Sequence, residues 1–333
     1  MWISIVFTTA VLIAVLYFTV DENTFTYIRQ LNPLFLLLAF ILHIVSLAFW
    51  AFRIQFMTKH IGYQVPFRYC FNLILANLFV GAITPSQAGG EPVRIHQLYR
   101  AGVPVGDATA IVITERLFDA IVLGLTGAIV IVLLGNLLSL GSSALIALYI
   151  SWILMVAAII LFLYAIRSPV ILKRLIKGFS SRILRKWDVK RLEALLGRVD
   201  REVDNFHESL THFMKKGKGG IIGWPIVFTV LFWFSEFFTA SLILMGLGQP
   251  PYVVQSFVAQ IIIAIIMMIP LTPGGSGIAE VSATSLYGLF IPGAIVGVFV
   301  VLWRMVFYYF HLVIGFMAGL AIIRKEAGTV KIE

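Results

Sequence analysis

The sequence predicts an all-α polytopic membrane protein built as an inverted repeat, and three observations carry that expectation. First, apolar residues make up 60% of its 333 residues and charged ones only 12%, with a mean hydropathy of +0.98. That is far more apolar surface than a soluble domain of this length buries, and it comes in long continuous runs rather than in the short alternating segments of a β-barrel. Second, Thr84-Pro85, Gly89, Val93, Leu98-Tyr99, Pro104, Val112 and Arg116 recur 188 residues later as Thr272-Pro273, Gly277, Val281, Leu286-Tyr287, Pro292, Val300 and Arg304. Nine identities in 33 gap-free positions exceed the roughly two or three that so biased a composition gives by chance. Third, both copies place proline, glycine and charge inside apolar sequence, the pattern of the discontinuous helices that surround a transporter's central site.

Six full crossings are expected at about 2–20, 34–57, 107–134, 142–166, 222–247 and 291–323. The first run lacks a basic leader and a small-residue cleavage site, so it reads as a retained span rather than a signal peptide. The apolar stretches 66–100 and 253–289 are interrupted by Pro and Gly, leaving halves too short to cross; they read as re-entrant helical hairpins. The polar segment 167–220 holds 14 Lys/Arg against six Asp/Glu and supplies nearly all of the net charge of +9. Placed on the cytoplasmic side, it also puts both termini and the 58–68 loop inside, and the 21–32 loop outside. Its basic, leucine-spaced character suits helices lying on an anionic leaflet better than nucleic acid, which is not expected as a partner. A single transmembrane domain, 1–333, follows. Repeat unit one is 34–134 and repeat unit two is 222–323, entered from opposite sides, so the hairpin tips should meet near the bilayer midplane.

The chemistry is expected at those tips. Pro85 ends the incoming half-helix of the first hairpin, and Gly89 and Gly90 permit positive φ and close backbone approach. The amides that open the next half-helix suit an anion. Arg94 can hold a phosphate or form a structural ion pair with Glu91. In the second hairpin, Gly274, Gly275 and Gly277 leave amides without side-chain cover. Glu280 needs a partner, Arg304 or Arg116; otherwise it caps the helix toward water or titrates in a proton-coupling role. Glu115, Arg116 and Asp119 lie too deep in their span to reach the surface together. Arg116 and its repeat mate Arg304 suit an anionic head group, or else lock the hairpins by bonding their carbonyls. Glu236 is a further pairing or titratable group. His43 and His311 read as interhelical hydrogen-bonders rather than ligands, and His96 follows the first tip. The lone Cys70 excludes an internal disulfide, and no pattern indicates a metal site, a nucleophilic triad or a cofactor fold.

Taken together, Gly89-Gly90-Glu91-x-x-Arg94, Glu115-Arg116-x-x-Asp119 and Pro273-Gly274-Gly275-x-Gly277-x-x-Glu280 resemble the flippase-like transmembrane region of the lysylphosphatidylglycerol synthase/flippase family. The resemblance covers essentially the whole chain and implies a stand-alone member without the synthase domain. It implies a cell-membrane protein that moves a lipid with a phosphate-bearing head group, an anionic phospholipid or a polyprenyl-linked lipid, between leaflets, and that is not an enzyme. By position it nominates Glu91, Arg94, Glu115, Arg116, Asp119 and Glu280. A small-solute or ion transporter of the same symmetry, a membrane-embedded lipid-modifying enzyme, and a non-catalytic partner of a separate lipid-synthesising or glycosyltransferase enzyme stay open, as does a homo-oligomer.

Overall fold

Proline and its neighbours set most of the helix boundaries. In the computed structural model, which describes residues 27–84, 89–134, 219–267 and 274–318 with Tyr17, Thr272 and a few positions between 152 and 208, every described element is helical. The expected span at 2–20, nearly all of the one at 142–166, and most of the basic segment 167–220 lie outside the described residues. Helix α1 (Pro33–His60) starts where the Asn32 side chain accepts the Leu34 N–H at 3.0 Å, with Pro33 in the first position, where its missing donor costs nothing. Helix α2 (Phe67–Ile83) stops at Thr84, which is extended (φ −112°, ψ 152°) as a residue preceding proline must be. Helix α3 (Gly90–Arg100) follows the break, and α4 (Val105–Leu134) begins immediately after Pro104.

The second set of elements repeats the first, with starts offset by 186 to 188 residues. Helix α5 is Gly219–Gly246, α6 is Val253–Met267, α7 is Ile278–Tyr287, and α8 is Gly293–Ala318, interrupted by a π-helical turn at Met305–Tyr309. Gly90 and Ile278 open the helices after each break, and Val105 and Gly293 follow Pro104 and Pro292. Among the described residues, α1, the 223–246 part of α5, and α8 are long and apolar enough to cross a membrane. Helix α4 matches them in length with 30 residues but carries Asp107, Glu115, Arg116 and Asp119 in its first half. The chain is an all-α membrane protein.

Helices α2 and α3 form an antiparallel hairpin: Tyr69, near the start of α2, donates to the Gln97 carbonyl near the end of α3 at 2.8 Å. In the second hairpin Gln260 on α6 donates to the Tyr287 hydroxyl at the end of α7 at 2.9 Å. Helices α1 and α5 are also antiparallel, with residue numbers rising on one as they fall on the other. Asn32 N–H donates to the Gly246 carbonyl, Trp50 meets Phe232, and Arg53 meets Thr229. The two breaks touch: the Gly274 N–H donates to the Thr84 carbonyl at 3.0 Å.

Burial divides between the units. One cluster packs Trp50, Ile54, Leu73, Leu98 and Ile111 between α1, α2, α3 and α4. Another packs Ile243, Leu244, Ala283, Tyr287 and Phe299 between α5, α7 and α8. Leu37, Ile41 and Val45, four residues apart on α1, are exposed together, as a lipid-facing stripe requires.

Candidate functional site

Ionisable groups on six helices converge near the two breaks. Burying that many charges is tolerable only where each finds an opposite partner. Glu115 is fully buried and accepts from Trp50 Nε1 at 2.9 Å, Arg53 Nε at 2.9 Å and Arg94 Nη1 at 2.8 Å. Arg53 continues to Asp119 Oδ1 at 2.7 Å and to Thr229 Oγ1 at 2.9 Å. Asp119 also accepts from Trp233 Nε1 at 3.1 Å. Helices α1, α3, α4 and α5 are thereby tied into one network. Its deepest members, Arg53, Arg94 and Glu115, lie away from water, and the Arg94 guanidinium stands 5.2 Å from the Trp50 ring centroid.

The second centre is smaller. Arg304 Nε donates to Glu280 Oε1 at 2.7 Å, and both groups are buried. The other Glu280 oxygen accepts the Gly277 N–H at 2.6 Å, so this carboxylate caps α7 and pairs with Arg304 at once. It does so inside the protein, not toward water. The Arg304 guanidinium also lies against the rings of Trp303 and Tyr308, at 5.7 and 5.0 Å.

Between these centres lies a cavity of about 380 Å³. Arg116, Glu91, Asp119, Glu236, Arg304 and Gly274 reach its wall, which is otherwise largely aromatic and aliphatic. Arg116 differs from its repeat mate: its side chain is 44% exposed, against 3% for Arg304, and it reaches Glu91 at 3.0 Å and Asp119 at 3.6 Å. Glu91 pairs with Arg116 more closely than with Arg94, which is 3.8 Å away.

Several expected binding groups are already engaged. Arg94 is fully buried and absent from the cavity wall. Gly89 has φ −70° and is needed for space rather than for positive φ, because a Cβ there would come within 2.6 Å of Thr84. Its N–H donates to Thr84 Oγ1 at 3.0 Å. Gly90 likewise packs against Asn77. Gly274, Gly275 and Gly277 do take positive φ, but their N–H groups donate to Thr84 O, Thr272 O and Glu280 Oε2. Within the protein, then, the glycine amides at the tips close the hairpins.

Arg53 is the residue that sequence reasoning missed. An arginine twenty residues into an apolar 28-residue helix was the available signal. His43 and His311 are interhelical hydrogen-bonders as expected, yet both also border the cavity. His43 Nδ1 is 2.8 Å from Glu236 Oε1, and its Nε2 is 2.8 Å from His311 Nε2. Ser46 Oγ donates to the same Glu236 oxygen. This order puts the carboxylate between serine and imidazole, so His43 is not placed to deprotonate Ser46 as a nucleophile's base would be. His96 is exposed, away from the cavity.

The family model described as the lysylphosphatidylglycerol synthase TM region matches residues 1–315. The chain belongs to that family. Within the lysylphosphatidylglycerol synthase TM-region family it is similar to a UPF0104 membrane protein of Archaeoglobus fulgidus, 33% identical over 322 residues that make up 94% of each chain. A UPF0104 membrane protein of Methanocaldococcus jannaschii is 27% identical over 308 residues, covering 90% of this chain and 88% of its own. One from Methanothermobacter thermautotrophicus is 28% identical over 255 residues, covering 76% and 75%.

Proposed function

We propose that the chain is a lipid transporter of the flippase type, which carries a phosphate-bearing head group between leaflets while the acyl chains stay in the surrounding lipid. The supporting observation is Arg116, a half-exposed guanidinium on an intramembrane cavity whose two counter-charges, Glu91 and Asp119, can release it to a competing anion. At about 380 Å³ the cavity is near the small end of ligand sites, room for a head group and not for a diacyl lipid. Arg304 holds the wall opposite, and the touching hairpin tips separate the cavity from one side or the other as they part. In this reading the protein is an integral component of the cell membrane, with the basic segment 167–220 and both termini in the cytoplasm. It performs no covalent chemistry, and a separate enzyme makes its lipid.

The test is transfer of fluorescent phosphatidylglycerol between leaflets of reconstituted vesicles, read by chemical bleaching of the outer leaflet. The protein is expected to accelerate transfer, Arg116→Ala to abolish it, and Arg116→Lys to retain part of it, since lysine keeps the charge but not the planar fork. Transfer no faster than in protein-free vesicles overturns the reading. Uptake of soluble glycerol phosphate in place of lipid transfer would assign the same cavity to a free anion.

A further inference from the structure

Among the charged groups bordering the cavity, Glu236 is singular. Glu91 and Asp119 face Arg116, Asp119 and Glu115 share Arg53, Glu115 also holds Arg94, and Glu280 holds Arg304. Three arginines thus balance three carboxylates in one centre, and one balances one in the other. The Glu236 side chain is 13% exposed, and its ion-pair partner among the described residues is a histidine, His43, whose other nitrogen meets a second histidine. With both imidazoles neutral, this largely enclosed array carries an uncompensated negative charge, a costly state inside a membrane-spanning bundle. A single proton removes it.

We infer that His311, His43 and Glu236 form a proton-binding relay, and that the cargo moves coupled to one proton held there. This rests on the transport reading above. The geometry supports both states of the relay with the same contacts. In the deprotonated state His43 Nδ1–H donates to the Glu236 carboxylate, and His311 Nε2–H donates to His43 Nε2. A proton taken up at His311 Nδ1 displaces the Nε2 proton onto His43 Nε2, and the Nδ1 proton of His43 passes to Glu236 Oε1. Both imidazoles end neutral in the opposite tautomer, the carboxyl is neutral, and both hydrogen bonds persist with direction reversed. Ser46 Oγ lies within bonding reach of both the His43 carbonyl, at 2.7 Å, and Glu236 Oε1, and its single proton serves one of them in either state. His43 is itself buried and held edge-on by Phe307 and Phe310, so the ring keeps its aim.

The geometry does not suit a metal ion. Glu236 and His311 sit on opposite nitrogens of His43, so the three donors do not converge on one point. The relay joins the cavity through His311 and Glu236, both in its wall with Arg116 and Arg304. An anionic head group entering with a proton would cross as a neutral unit.

Two measurements test this separately. Infrared difference spectra of the purified protein between acid and alkaline pH should contain a carboxylic-acid C=O band that Glu236→Gln removes. A spectrum unchanged by that substitution overturns the relay, whatever the transport result. In vesicles with fluorescent phosphatidylglycerol, a one-unit pH gradient should redistribute the lipid toward the alkaline leaflet, up to about tenfold, the ratio one coupled proton allows. A protonophore should abolish the asymmetry. Glutamine can still accept the His43 bond, so Glu236→Gln should fold and lose the gradient-driven asymmetry. Lipid exchange that ignores the gradient overturns proton coupling and leaves the flippase reading standing. Absence of exchange under every condition overturns the flippase reading itself, and coupling with it.

Discussion

Arg53→Leu is expected to destabilise the protein by about 3–5 kcal/mol, the cost of removing one member of a buried ion pair. The side chain is 1% exposed and serves Glu115, Asp119 and Thr229 from three of its nitrogen–hydrogen edges. Its loss leaves three carboxylates facing Arg94 and Arg116 alone, and only Arg94 is as deeply buried. Arg53→Lys keeps the charge but cannot bridge two carboxylates with a planar fork, so a smaller loss of about 1–3 kcal/mol follows. Arg53→Leu combined with Asp119→Asn should recover part of the stability, because the second substitution removes the carboxylate that loses its closest partner, whereas Glu115 keeps Arg94. Thermal unfolding in detergent, followed by tryptophan fluorescence, reads all three variants. Trp50 and Trp233 donate directly to the carboxylates concerned. A parental melting temperature for Arg53→Leu would show that the network does not hold α1, α4 and α5 together.

The outline of the fold was legible because proline and glycine punctuate an otherwise apolar chain, and they do so twice. Pro104 and Pro292 put the starts of α4 and α8 at Val105 and Gly293, and the breaks put α3 and α7 at Gly90 and Ile278. The Glu280–Arg304 pair was one of two options the sequence offered, and it lies within a single unit. Arg53 was less legible because its partners lie 62 and 66 positions away, and its own helix contains nothing to pair with it. The relay was harder still. Glu236 and His311 lie 193 and 268 residues from His43, each alone in apolar sequence, and only the packing of α1 against α5 and α8 joins the three. Repeat symmetry does not reveal one difference: Arg116 and Arg304 occupy equivalent positions and both reach the cavity wall, yet Arg116 is half-exposed there while Arg304 is buried against Glu280. A repeat fixes the backbone frame, while exposure depends on neighbours that the two copies do not share. The glycines carry the same lesson, since composition shows where positive φ is tolerated but not where it is used.

Gly274→Ala should therefore be far more damaging than its size suggests. Gly274 has φ +58°, in the left-handed region that costs a residue with a Cβ roughly 1–2 kcal/mol. An added Cβ would also stand 2.5 Å from the Ala82 carbonyl oxygen and 2.7 Å from the Tyr308 ring. The first of these is backbone at the end of α2 and cannot swing aside, so overpacking adds about 1–3 kcal/mol. The strain falls on the contact between the two breaks, because Gly274 N–H donates to Thr84 O and Tyr308 hydroxyl to Ala82 O. Gly248→Ala separates the two causes: φ there is +71° and nothing lies within 4 Å of the new methyl, so it should lose only the backbone term. The difference between the two variants in detergent unfolding then measures the tip-to-tip contact itself. In vesicles, Gly274→Ala should slow lipid transfer beyond any loss of folded protein, since forcing the tips apart deforms the cavity wall to which Gly274 belongs. Equal destabilisation by the two alanines would mean that the tips do not press on one another, and that the cavity is closed by other elements.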